Sequence, residues 1–279
     1  MRKNLFAADH PHLAQSLNNL AGLYYSQGKY NKAEPLYVDA LEMRKRLFPG
    51  DHSDVATSLN NLAALYDSQG KYEEAEPLYL DALQMRKRLF PGDHSDVAIS
   101  LNNLAALYDS QGKYEEAEPL YLDALEMRKR LFPGDHSDVA ISLNNLAALY
   151  DGQRKYEEAE PLYLDALEMR KRLFKSDHPN IASSLNNLAG LYSSQRKYIQ
   201  AESLYVDAFQ MCRRVLGKNH PTTLIFKKNL TTLQGQLASP KAARHWLNSL
   251  GKIILLLWEF LWLLVKPIST FLRTTKANS

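Results

Sequence analysis

The chain has a single cysteine in 279 residues, Cys212, so it cannot close a disulfide on itself. That usage fits a reducing compartment. Also missing are a phosphate-binding Gly-rich loop, a Cys-x-x-Cys pair, a His-Glu-x-x-His zinc motif and any Ser/His/Asp arrangement. Cys212 has no histidine close in sequence to activate it. No charged-then-apolar segment opens the chain, so a secretory leader is not expected. These absences argue against an enzyme. They suggest a cytoplasmic chain that needs no cofactor or metal.

What fills the sequence instead is repetition. His10, His52, His94, His136, His178 and His220 recur every 42 residues, and Leu17, Leu59, Leu101, Leu143 and Leu185 keep the same step. A fixed period of this length signals a repeat array. Repeats fall at 10–51, 52–93, 94–135, 136–177 and 178–219, with a half repeat at 220–238. Residues 1–9 match 43–51 and read as the remnant of a preceding second helix, as in a piece of a longer array. Residues 239–279 read as a separate basic and hydrophobic tail.

Each repeat holds two helices. In the second, Val55, Leu59, Leu62, Leu65 and Tyr66 share one face of a 3.6-residue period, which predicts a first helix over 53–68. A second is predicted over 73–90, with Ala75, Leu78, Tyr79, Ala82, Leu83 and Leu89 on its apolar face. Acidic residues start it and Arg86-Lys87-Arg88 end it, as the helix dipole favours. Pro77 should loosen its first turns. Gly28, Gly70 and Gly112 suit a left-handed helix end, although Arg154 and Arg196 hold that place later.

The pattern LNNLAxLYxxQGKYxEAExLYxxAL with a Asp-His link resembles the tetratricopeptide repeat, in the 42-residue form of kinesin light chains and many bacterial proteins. In repeat two the matching positions are Leu62, Ala63 and Tyr66, then Ala75, Tyr79 and Ala82. The resemblance implies an all-α fold, a right-handed α-solenoid of antiparallel helix pairs. Its first helices would line a concave groove that holds an extended peptide. The coiled-coil region of kinesin light chains has no counterpart in this sequence, so motor-adaptor function does not carry over.

Carried onto this chain, the second asparagines, Asn19, Asn61, Asn103, Asn145 and Asn187, should face the groove. The first ones, Asn18, Asn60, Asn102, Asn144 and Asn186, lie one position round and share the role. Amides both donate and accept, so a row of them suits a peptide backbone. Asp67, Asp109 and Asp151 should edge the groove. Helix A carries no matching row of Lys or Arg, which predicts a neutral or basic protein or peptide partner. The alternative reading of the asparagines is structural, as bridges between helices.

Other candidates have blander readings. One His per repeat, with repeats ~10 Å apart, cannot assemble a zinc site; the Asp/His pairs belong to helix starts. The Arg-Lys-Arg triplets read as solvated helix ends rather than as a nucleic-acid surface. Charge is uneven along the chain. Residues 52–177 carry 14 Lys+Arg against 23 Asp+Glu, and residues 220–279 carry 8 against 1.

Within the tail, residues 253–265 are nearly unbroken apolar sequence. Trp246, Ile253, Leu256, Trp258, Leu261, Trp262 and Val265 would form a face that caps the solenoid, meets a membrane or self-associates. Glu259 argues against a simple membrane span. A membrane-tethered or self-assembling module is therefore the alternative to a peptide-binding scaffold.

Overall fold

The computed structural model describes residues 9–238. Among them run eleven helices: α1 (Pro11–Ser26), α2 (Tyr30–Leu47), α3 (Ser53–Ser68), α4 (Tyr72–Leu89), α5 (Ser95–Ser110), α6 (Tyr114–Leu131), α7 (Ser137–Gly152), α8 (Tyr156–Leu173), α9 (Pro179–Ser194), α10 (Tyr198–Leu216) and α11 (Pro221–Leu237). They form an all-α solenoid of paired antiparallel helices. Odd-numbered helices are the first of each pair. The tail face from Trp246 to Val265 lies outside the described residues. Among the described residues, no helix is long and apolar enough to cross a membrane.

Every first helix starts the same way. His52 is extended (φ −149°, ψ 138°), and its Nδ1 accepts from the Asp54 backbone N–H at 3.1 Å. This satisfies one of the orphan donors at a helix start. The imidazole also stacks flat on Phe90's counterpart in the preceding repeat, Phe48, with centroids 3.8 Å apart. The same stack joins Phe90 to His94, Phe132 to His136 and Phe174 to His178. His52, His94, His136 and His178 are thus joints between repeats.

The turn inside each pair is also repeated. Lys71 N–H donates to the Tyr66 carbonyl at 2.9 Å, and Gly70, at φ 72°, donates to Asp67. This six-to-one bond satisfies a helix-end carbonyl and needs a left-handed residue. Arg154 and Arg196 adopt the same conformation at φ 61°, a side chain where glycine fits best. The helix runs through Pro77 as one element. The proline stands one turn inside, on the exposed side, where only one backbone bond is lost.

Each core cluster draws on neighbouring repeats. Ala63, Ala75, Tyr79 and Leu83 pack with Val97, Leu101, Leu104, Leu107 and Ala124, all buried. No repeat buries its apolar faces alone, which makes the array quasi-one-dimensional.

The basic triplets correct their sequence reading. The second and third residues are the exposed helix ends expected, and the first is not. Arg44, Arg86, Arg128 and Arg170 are buried. Arg86 donates from Nη1 to the Asp96 carbonyl at 3.1 Å and to Ser100 Oγ at 2.8 Å, tying α4 to α5. Burial pushes its pKa down, opposed by the charge of Asp96. The third arginine reaches the other way. Arg88 grips Asp51 with Nε–Oδ2 at 2.6 Å and Nη2–Oδ1 at 2.8 Å. Asp51 therefore serves an ion pair, held below the usual carboxylate range by that hydrogen bond, and only its neighbour His52 caps the helix.

Candidate peptide-binding groove

The first helices touch one another through an amide ladder. Asn61 Nδ2 donates to Asn18 Oδ1 at 3.0 Å, Asn103 to Asn60 at 3.0 Å and Asn145 to Asn102 at 2.7 Å. Asn187 donates to Asn144 at 2.9 Å, and Asn229 to Asn186 at 2.9 Å. The second asparagine of one repeat thus meets the first asparagine of the repeat before. Lys228, a donor without acceptor capacity, replaces the first asparagine on α11 and ends the pattern.

The ladder uses only part of the amides' capacity. Each has up to four bonding positions. Asn61, Asn103 and Asn145 spend one Nδ2 proton on the ladder and remain half-buried. Asn60, Asn102 and Asn144 spend one Oδ1 position and are also half-buried. Asn18 is buried, whereas Asn19 is exposed and accepts from Gln15 at 2.7 Å. Asn186 and Asn187 also contact each other at 3.5 Å. The asparagines are therefore bridges between helices and, at the same time, partly open polar groups.

Around the ladder the face changes from end to end of each helix. One turn before Asn61 stands Thr57, whose Oγ1 accepts from Arg86 Nη2 at 3.4 Å. The corresponding positions before Asn103 and Asn145 are Ile99 and Ile141, exposed isoleucines. Among the described residues, Arg128 and Arg170 bond through Nη1 and have no partner for Nη2. After the ladder come Asp67, Asp109 and Asp151. All three are half-buried, and their side chains have no hydrogen-bond or ion-pair partner among the described residues. Burial pushes their carboxyls above the usual range.

Helix-B tyrosines reach toward the same face. The Tyr37 and Tyr205 hydroxyls lie 3.5 and 3.6 Å from where a Cβ would stand on Gly22 and Gly190. Those glycines sit one turn past Asn19 and Asn187. Tyr79, Tyr121 and Tyr163 hold the same position in the middle repeats and are buried. Burial raises the Tyr79 phenol, helped by the charge of Asp67.

Tyr24, Tyr66, Tyr108, Tyr150 and Tyr192, which periodicity assigns to the core, pack against it while remaining half-buried. Tyr108 donates to Glu76 at 3.0 Å, and Lys113 sits 5.4 Å over its ring. Desolvation and Glu76 push this phenol up to about 12. The buried arginines Arg44, Arg86, Arg128 and Arg170 are hidden by their charge, which points to solvent. Their signal was present: Ala75, Tyr79, Ala82 and Arg86 share one helical face.

Among the described residues, no group of three His, Cys, Asp or Glu side chains could hold a metal ion. The face can donate, accept and attract positive charge. It has no nucleophile paired with a base.

A family model described as tetratricopeptide repeat matches residues 1–46, 12–88, 54–130, 96–172, 138–210 and 180–250. No curated protein gave a match. Among solved structures, BtubC (BKLC) from P. vanneervenii is similar at 28% identity and TM-score 0.62, over 76% of this chain and 84% of that one. A kinesin light chain-type protein from Podosopora anserina, with nearly identical TPR-like repeats, is similar at 21% identity and TM-score 0.60, over 74% and 98%. A Rap protein complexed with Competence and Sporulation Factor is similar at 18% identity and TM-score 0.55, over 82% and 65%. The last two likenesses are of fold.

Proposed function

The chain belongs to the tetratricopeptide repeat family, and on that premise we propose that it is an interaction scaffold whose first helices hold an extended peptide or partner segment. The observation that carries this reading is the half-spent amide row, from Asn60 and Asn61 to Asn144 and Asn145. Fixed by the ladder, these amides keep bonding positions for a backbone without having to be ordered on binding, which lowers the cost of association. The Rap structure, of the same fold, contains a bound factor, which supports the reading by analogy. Asp67, Asp109 and Asp151 favour a neutral or basic ligand over an acidic one. No observation on residues 9–238 favours the membrane-tethered alternative.

A screen of short unstructured peptides against the full chain tests the proposal. Binders should compete with one another and lose at least tenfold in affinity against N61A/N103A/N145A, while circular dichroism keeps its helical signal. Binders indifferent to that variant would contradict it.

A further inference from the structure

We propose, building on the peptide-groove reading above, that α3, α5 and α7 select a peptide with three basic side chains at every third position. Asp67, Asp109 and Asp151 occupy one place on successive first helices. Several other carboxylates of the array are engaged, and the remaining second-helix ones such as Asp81 are exposed to water: Asp51, Asp93 and Asp135 grip arginines, and Glu76, Glu118 and Glu160 accept from tyrosines. Among the described residues the three groove aspartates have no such partner, although each is half-buried.

A second feature points to the same ligand. Tyr79, Tyr121 and Tyr163 are only 3–4% exposed, and among the described residues their hydroxyls have no hydrogen-bond partner. Each lies in the field of the aspartates: Tyr79 of Asp67, Tyr121 of Asp109 and Asp67, Tyr163 of Asp151 and Asp109. The equivalent Tyr37 and Tyr205 hydroxyls reach Gly22 and Gly190, one turn before the aspartate position, so a phenol held this way presents its oxygen beside an uncompensated charge. An ammonium or guanidinium group satisfies both at once, because it donates several bonds and carries the opposite charge.

Geometry sets the spacing. Packed helices stand ~8–10 Å apart, and an extended chain advances ~3.3 Å per residue. One repeat therefore spans about three ligand residues. The row is bounded, since its place is taken by Tyr25 in the first repeat, Ser193 in the fifth and Gly235 on α11. Three sites, and no more, define the register. The ladder amides one to two turns away take the ligand backbone.

The test titrates the full chain with three acetylated, amidated nonapeptides. One is Gly-Lys-Ser-Ser-Lys-Ser-Ser-Lys-Gly. The second has the same composition in blocks, Gly-Lys-Lys-Lys-Ser-Ser-Ser-Ser-Gly. The third replaces each lysine of the first by glutamine. The spaced peptide should bind at least tenfold tighter than either, and D67N/D109N/D151N should reduce that advantage below twofold. The exposed second-helix variant D81N/D123N/D165N should leave it intact. Equal binding of all three peptides, still lost in N61A/N103A/N145A, would overturn the register and leave the groove standing. No binding by any, alongside an empty peptide screen, would overturn both.

Discussion

The joint between α8 and α9 and the joint between α10 and α11 hold the same place in successive repeats and have opposite chemistry. In the first, buried Arg170 donates to the Asn180 carbonyl at 2.9 Å and to Ser184 Oγ at 2.8 Å. In the second, the same two side-chain positions hold Cys212 and Phe226, both buried in an apolar cluster. A guanidinium with its acceptors has been replaced by a thiol and a ring. Burial raises the Cys212 thiol, as expected of an inert core cysteine. The fold therefore does not require the buried charge. What the arginine adds is a geometric demand, because it must meet one hydroxyl and one carbonyl of the next repeat.

That comparison can be broken most severely by removing one half of it. R128A should leave Ser142 Oγ and the Asp138 carbonyl unsatisfied beside a cavity, lowering stability by about 3 kcal/mol in urea unfolding. Converting the joint as a pair, R128C/S142F, should recover all but about 1 kcal/mol of that loss. A double variant as unstable as R128A would show that the two joints are not interchangeable.

Removing a rung of the ladder should cost less. N103A deprives half-buried Asn60 of its donor, at about 1 kcal/mol by the same measurement. Because Asn60 keeps access to water, a loss above about 3 kcal/mol would mean the asparagines are core groups rather than a groove surface.

Acid sharpens the contrast between the two rows of aspartates. Asp51, Asp93 and Asp135 are lowered by their arginines, so folded protein favours their charged form. Their contribution is present above pH 3.8, the ordinary value, and is lost as pH falls through their depressed values. Asp67, Asp109 and Asp151 are raised from 3.8 by burial, so their cost is absent below that pH and grows as pH rises through the raised values. D67N/D109N/D151N should therefore stabilise the chain at pH 7 and not at pH 3. D51N/D93N/D135N should destabilise it at pH 7, with the difference closing in acid. Thermal melts across this range read both. The smallest effect is at the turn: R154G should stabilise by about 0.5 kcal/mol, since a left-handed arginine gives way to the residue that prefers that conformation.

Much of this architecture can be read directly from residue spacing. The helix predicted over 53–68 is α3, Ser53–Ser68, and the one predicted over 73–90 is α4, Tyr72–Leu89. Periodicity places a residue on a face, and faces decide which helices pair. It does not say how one helix is shifted against the next. The ladder joins residues 43 apart, one repeat plus one position, so it depends on that shift. Arg86 was obscured for another reason: its charge argued for solvent while its spacing argued for the core, and the acceptors that reconcile the two sit on the following helix.

The claim on which the rest stands is that ligand lies along the first helices. Hydrogen–deuterium exchange of the full chain, with and without a peptide taken from the screen, tests it most directly. Protection should appear on α3, α5 and α7 and leave the exposed faces of α4, α6 and α8 unchanged. Protection confined to the second helices would contradict the account.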